Sequence, residues 1–378
     1  MHFMFYILYR FHIEMSYNGR GSSPASEGGG TTLFRGRPHG VALPGMRHFY
    51  VVWVLSSLCK VNVFFILVVL LVLNLLTESS SQALEKLQVV TTFPHDAAIA
   101  VEIGGPYVQV ESLTRGEEDP HLVTTRFSLI PLLNRADLLI VNGQLLEIMW
   151  LPELLQKSRN DKILPGKSGY LDVSRGADLI FYSPDEVGRS PLFDANFVYG
   201  AKTGQIANHH YWLNPANGLV IAKNIFEKLS ELDPDHESAY RTNYEKFGSR
   251  LRERIQKWDA QMAPYAGLQV VSYHRSWNYL LNRHGIRIWG YIEPLELGLP
   301  KQSSLKKLAR QLKTQKVRLI LLETYQDKKV AWQLAEETGA HILVLPSSVS
   351  PNLGIQDYFQ LFEVIYGKLL EAFKGLQG

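Results

Sequence analysis

Cysteine is almost missing from this chain. One, Cys59, stands in 378 residues, which excludes a disulfide within the chain and any cysteine cluster for zinc or iron–sulfur. A metal site here must therefore use His, Asp, Glu or water. Net charge is scarce as well, at a formal +3, and it is unevenly placed. In residues 1–83, Arg10, Arg20, Arg35, Arg37, Arg47 and Lys60 face only Glu14, Glu27 and Glu78. Taking these six and three from the chain's 39 Lys+Arg and 36 Asp+Glu leaves 33 of each sign. A neutral body has no electrostatic footprint for nucleic acid. A short-period repeat is also absent. With 46% hydrophobic and 20% charged residues, most of the chain is expected to be globular and long enough for two domains.

One long apolar run is present, VNVFFILVVLLVLNLL at 61–76. Arg47 and Lys60 precede it, and Ser81-Gln82-Ala83 supplies a small-x-small end, the pattern of a secretory signal peptide with a mature start near Leu84. The alternative is a retained membrane anchor, since with 50–58 added the stretch is long enough to span a bilayer. Lipidation at Cys59 is not expected. Leu58 stands where a small residue belongs, and the apolar core follows the cysteine instead of preceding it. Residues 1–45, with a Gly/Ser-rich middle, read as an upstream extension with Met46 as the start. Residues 1–83 are thus expected to be a leader.

From Leu84 onward strand-like and helix-like stretches alternate, which argues for parallel α/β layers. LQVVTTF (87–93), VQVESL (108–113) and DLLIVNG (137–143) read as strands. Helical patterns fall between them, one closed by Gly104-Gly105. Residues 160–208 read as a long loop region with one strand at ADLIFY. An amphipathic helix at 214–232 breaks at Asp233-Pro234, and a second runs from about Asp235 to Met262. The second is either a strut between two lobes or a long surface helix of one domain. Alternation restarts with LQVVSY (268–273), IRIWGY (286–291), VRLILLET (317–324) and HILVLPS (341–347). One intervening helix opens at Ser303-Ser304, another is capped by Asp327 and closed by Gly339, and a last helix begins at Tyr358.

Polar residues collect at the carboxyl ends of these strands, where open α/β sheets bind ligands. EEDPHLVT (117–124) puts His121 after VQVESL. VVSY runs into His274. VRLILLE ends at Glu323 and IRIWGYIE at Glu293. NHHYWLNP places His209 and His210 before the helix that starts near Asn214. Each histidine alone has a bland reading: a solvated Asp-Pro turn for His121, a helix cap for His209 or His210, a satisfied core histidine for His274. Together, three histidines without cysteine make a plausible shell for zinc. Residue reading reaches a two-lobed ligand binder and leaves its ligand open.

At these residues the sequence resembles the periplasmic zinc/manganese substrate-binding proteins of ABC importers, over about Leu87 to Phe373. VVTTFPHDAAIAVEIGG resembles the family's first strand and helix, and EEDPHLVT its Asp-Pro-His loop. RADLLIVNGQLLE resembles the next strand and HHYWLNP the His-x-Trp-Leu-Asp-Pro element. SYHRSWNYLLNRHGI resembles the Tyr-His-x-x-Trp/Phe segment, and YIEPLELGLPKQSSLKKL the Ile-Glu-Pro stretch. The resemblance implies an α/β fold: an N-terminal lobe (84–234), a single long linking helix (235–263) and a C-terminal lobe (264–378), with parallel-type sheets and a metal in the interlobe cleft. It places metal ligands on His121, His210 and His274, and His209 where the family has a proline. A histidine at 274 resembles zinc-type members; a glutamate there is typical of some manganese-type ones. Many relatives add an aspartate after the late strand, where this chain has Pro346-Ser347-Ser348, so Glu323 is the candidate fourth ligand. The histidine-rich charged loop of some zinc members is absent.

The implied function is capture of a divalent metal, zinc or alternatively manganese, at the periplasm or the outer face of the cell membrane. Delivery is to the membrane permease and ATPase of an ABC importer, by a monomer with no catalysis. The alternatives are a zinc hydrolase using the three histidines with Glu323 or Glu293 as general base, and a metal-binding adhesion protein.

Overall fold

The structure is a computed structural model that describes residues 63, 65–69, 86–183, 206–293 and 301–377. By compactness the chain divides after Ser81, and the fold is that of the second unit, Gln82–Gly378. Most of the expected leader lies outside the described residues. Residues 63 and 65–69 are helical, and no helix among the described residues is long and apolar enough to cross a membrane.

The first sheet is built from β1 (Leu87–Thr91), β2 (Val108–Ser112), β3 (Leu138–Val141) and β4 (Tyr170–Asp172). The order is β2-β1-β3-β4 and every pair is parallel. Helices α1 (Pro94–Gly104), α2 (Ile130–Arg135) and α3 (Leu151–Ser158) lie between strands in sequence. After the sheet come α4 (Pro215–Leu232) and α5 (Glu237–Met262). The second sheet has β5 (Gln269–Ser272), β6 (Arg287–Tyr291), β7 (Leu319–Glu323) and β8 (His341–Leu345). Its order is β6-β5-β7-β8, again all parallel. It carries α6 (Asn278–Arg283), α7 (Gln302–Gln315), α8 (Lys328–Thr338) and the last helix, α9 (Tyr358–Gln377).

The two halves thus repeat one topology, with the order reversing beside the first strand of each. Side chains at the carboxyl ends of strands on either side of that reversal face an open crevice. The central strands are continuous apolar runs because parallel sheets are covered on both faces. All four residues of β3 and all five of β7 are buried. Asp327 caps α8, accepting from Lys329 N at 2.8 Å, and Gly339 closes it at φ 73°.

One strand departs from expectation. The fourth strand of the first sheet is Tyr170–Asp172, paired with β3, whereas ADLIFY contributes only an isolated bridge between Phe181 and Ala207. Three residues are too few to display a period of two. Gly169 admits the strand: a Cβ there would stand 2.4 Å from the carbonyl oxygen of Asp137.

Between the sheets α5 runs for 26 residues, about 39 Å at 1.5 Å per residue. Its buried residues, Phe247, Leu251, Ile255, Trp258 and Met262 among them, recur at three or four and form one stripe. Trp258 stacks on Tyr366 of α9, with centroids 5.0 Å apart. α9 also packs on α1 and β8, so one hydrophobic core, from Val89 to Phe373, runs through both halves.

Candidate metal centre

The Asp-Pro-His turn is held from several sides. Leu113 N continues the ladder to Thr91 O at 2.9 Å, and Thr114 Oγ1 donates to Thr92 O at 2.9 Å. Gly116 has φ +82°, and a Cβ there would meet the carbonyl oxygen of Val349 at 2.1 Å. Only glycine allows that backbone and that approach. Trp150 Nε1 donates to Pro120 O at 3.1 Å. Asp119 Oδ1 then accepts from His121 N at 3.0 Å and lies 2.6 Å from His121 Nδ1.

The His209–His210 segment is fixed by asparagines. Asn142, just past β3, donates through Nδ2 to His209 O at 3.1 Å. Asn208 Oδ1 accepts from His210 N at 2.9 Å, and its Nδ2 donates to Arg275 O at 2.9 Å. Tyr211 OH donates to Asn142 O at 2.7 Å. Asn214 then caps α4, accepting from Ala216 N at 3.1 Å, with Pro215 in the first turn. His274 stands two residues past the end of β5. Its Nδ1 lies 3.0 Å from Glu293 Oε2, and Glu293 N donates to Tyr273 O at 2.8 Å.

Four imidazoles meet. His121, His209, His210 and His274 each offer one donor atom, and these atoms all lie within 4.8 Å of one another. His121 Nε2 is 2.8 Å from His209 Nε2, and His274 Nε2 is 3.0 Å from His210 Nε2. The four are 4%, 0%, 0% and 2% exposed. The Asp119 and Glu293 carboxylates accept at Nδ1 of His121 and His274, which leaves the Nε2 lone pairs facing the cluster. This carboxylate–imidazole arrangement orients metal ligands and raises their basicity. Burial pushes the Asp119 carboxyl up, but its hydrogen bond to His121 and the charges of His121 and His274 outweigh that and hold it below the usual range. Buried nitrogen donors with no cysteine, backed by carboxylates, fit a divalent cation.

The structure thus brings together His121, His210 and His274, from three segments and both halves. It adds His209, where the resemblance implies a proline and no ligand. It leaves the Glu323 carboxylate outside the converging group. Glu323 ends β7 fully buried, and burial raises its pKa to about 7 against the opposing effects of the His274 charge and the Ser276 hydroxyl. The outer partners Asp119 and Glu293 were not separable by sequence from ordinary turn and strand-end acids. The visible signal for Asp119 is its place two residues before His121, where a side-chain oxygen reaches the backbone N–H of the second residue on.

Comparison with known proteins agrees with this architecture. A metal ABC transporter substrate-binding lipoprotein, FimA, of Streptococcus parasanguinis is 27% identical over 274 residues, 70% of this chain and 81% of that relative. The manganese ABC transporter substrate-binding lipoprotein PsaA of Streptococcus mitis is 25% identical, covering 76% and 88%, and the iron-binding protein YfeA of Yersinia pestis 24%, covering 78% and 88%. The crystal structure of ZnuA superposes with a TM-score of 0.62 at 22% identity, over 76% of this chain and 99% of that one. FimA and PsaA are thus substrate-binding lipoproteins of ABC transporters, not enzymes. The family model described as zinc-uptake complex component A, periplasmic, matches residues 89–372, and the chain belongs to that family.

Proposed function

We propose that the protein captures a zinc ion outside the cytoplasmic membrane, in the cleft between its two lobes, and delivers it as cargo to the permease and ATPase of an ABC importer. The observation that carries this reading is the meeting of His121, His210 and His274 from separate segments, two of them backed by carboxylates. The relatives named for manganese and for iron support a divalent cation, and the imidazole-rich donor set favours zinc among those. The protein acts as a monomer, one ion per chain, with a mature start near Leu84.

Metal analysis of protein purified without added metal is expected to find one zinc per chain. Alanine at His121, His210 or His274 weakens zinc binding by orders of magnitude while the circular dichroism spectrum is unchanged. Stoichiometric manganese with no zinc, or wild-type binding in the triple variant, overturns the reading.

A further inference from the structure

We propose that His209 is the fourth ligand, so that the ion is held by four imidazoles and no carboxylate, and that this donor set selects zinc against manganese. The inference rests on the receptor reading above and deepens it.

His209 belongs to the cluster by position. Its Nε2 lies 2.8 Å from that of His121, its ring is wholly buried, and Asn142 Nδ2 anchors its backbone carbonyl at 3.1 Å. Neighbouring residues usually aim their side chains apart, but the rings of His209 and His210 are 4.6 Å apart at 62°. The non-helical backbone of His210, φ −83° and ψ 28°, turns the chain at this point. Two of the nitrogen–nitrogen distances come near those around a tetrahedral ion. Nitrogens at about 2.0–2.1 Å from zinc are about 3.3 Å from one another, and the two Nε2 pairs stand at 2.8 and 3.0 Å. Small outward shifts of the rings would admit the ion.

The arrangement is not that of a square. Five pairs among the four rings have centroids between 4.6 and 5.4 Å apart. Any five pairs of a square include a diagonal about 1.4 times its edge, as the square-planar sites favoured by copper(II) require. Five near-equal spacings exclude that square and are compatible with a tetrahedron, the geometry zinc takes in closed sites.

Charge is balanced one layer out. Four neutral imidazoles leave both charges of the ion uncompensated in a buried cleft, which is costly. Asp119 and Glu293 sit at the far nitrogens of His121 and His274 and offset this without touching the ion. No inner carboxylate is then required from the Pro346 position or from Glu323. Manganese(II) prefers six-coordinate oxygen ligands, and four buried nitrogens supply neither the number nor the type.

The test is X-ray absorption at the zinc edge on the full chain loaded with one equivalent of zinc. Four imidazoles at about 2.0 Å are expected in the wild type and three in His209→Gln. Zinc affinity of that variant, measured by chelator competition, should fall by more than the roughly tenfold to hundredfold typical of an outer partner. His209→Asp should narrow the zinc-to-manganese affinity ratio. A wild-type spectrum with three imidazoles and an oxygen sinks the proposal while leaving the receptor reading intact, and needs no variant to fold. A wild type that binds no zinc sinks both.

Discussion

His95 illustrates what burial does to one imidazole. It is fully buried, stacked on Trp212 at 4.5 Å, with Nδ1 2.9 Å from Ser348 Oγ. Burial lowers its pKa from 6.5 to about 3, the Asn142 side chain opposing. An unfolded chain therefore gains this proton as pH falls through 6.5, whereas the folded protein stays neutral until about 3. Stability from this residue is complete above pH 6.5 and is lost below it, at about 1.4 kcal/mol per pH unit. Urea unfolding of the metal-free protein between pH 6 and 4 should show that slope reduced by about one proton in His95→Gln. An unchanged slope would refute the assignment. Buried His284, lowered to about 4, acts in the same direction and remains in both proteins; the raised carboxyls of Asp96 and Glu147 act oppositely, so Glu147 is kept in both proteins and Asp96, 3.7 Å from His95 Nε2, is made asparagine in both. At this scale the sequence was partly legible. His121, His210 and His274 stand in motifs with neighbours of fixed kind: Pro before, Trp two after, Tyr before. His209 has no such signature, and whether adjacent rings diverge or converge depends on the backbone angles at one residue. The burial of His95 was not legible either, because a histidine beside a proline at a helix start reads equally well as exposed.

Elements were the most legible level, and glycine marks where that ends. The strands of both sheets are short apolar runs between Gly, Asn and Asp, so their positions followed from hydrophobicity; β4 did not, being three residues long. Two helical glycines look alike in sequence and differ in packing. Gly248 lies mid-way in α5, where a Cβ would meet only the guanidinium of Arg252 at 3.2 Å, the far end of a flexible side chain. Gly248→Ala should therefore stabilise the protein by up to about 1 kcal/mol through helix propensity. Gly218 in α4 faces the buried ring of Tyr358, and a Cβ would stand 2.5–2.9 Å from its atoms. That ring cannot yield freely, since its hydroxyl donates to Trp212 O at 2.8 Å. Gly218→Ala should cost about 1–3 kcal/mol from overpacking, outweighing the same helical gain. Urea midpoints moving in opposite directions for the two variants are the expected result, and a loss at Gly248 would mean that α5 needs its flexibility there.

At the scale of the whole molecule the question is how far the lobes move when the cleft fills. Bending α5 requires broken backbone hydrogen bonds or a proline or glycine, and its interior offers only Gly248. The halves are also tied beyond that helix. Trp212 Nε1 donates to Ser347 O at 2.8 Å, Tyr358 OH to Trp212 O at 2.8 Å, Tyr279 OH to Asn208 O at 2.6 Å, and Ser350 Oγ to Glu117. The Ser347–Ser350 segment, which follows the place where relatives are expected to carry an aspartate, is thus pinned to the first half by hydrogen bonds instead of through the ion. Opening the lobes widely would part the core that runs through both halves and break these bonds, which net about 0.5–1.5 kcal/mol each and cost more when a buried partner is left unpaired. Rearrangement on binding is therefore expected to be confined to the four imidazoles and the Asp-Pro-His turn. A compact body of the length of Gln82–Gly378 has a radius of gyration of about 19 Å. Small-angle scattering of metal-free and zinc-loaded protein should give superimposable curves near that value, while amide hydrogen exchange at residues 117–124 slows on loading. A clear contraction in scattering would show a hinge that neither α5 nor the interlobe bonds provide for.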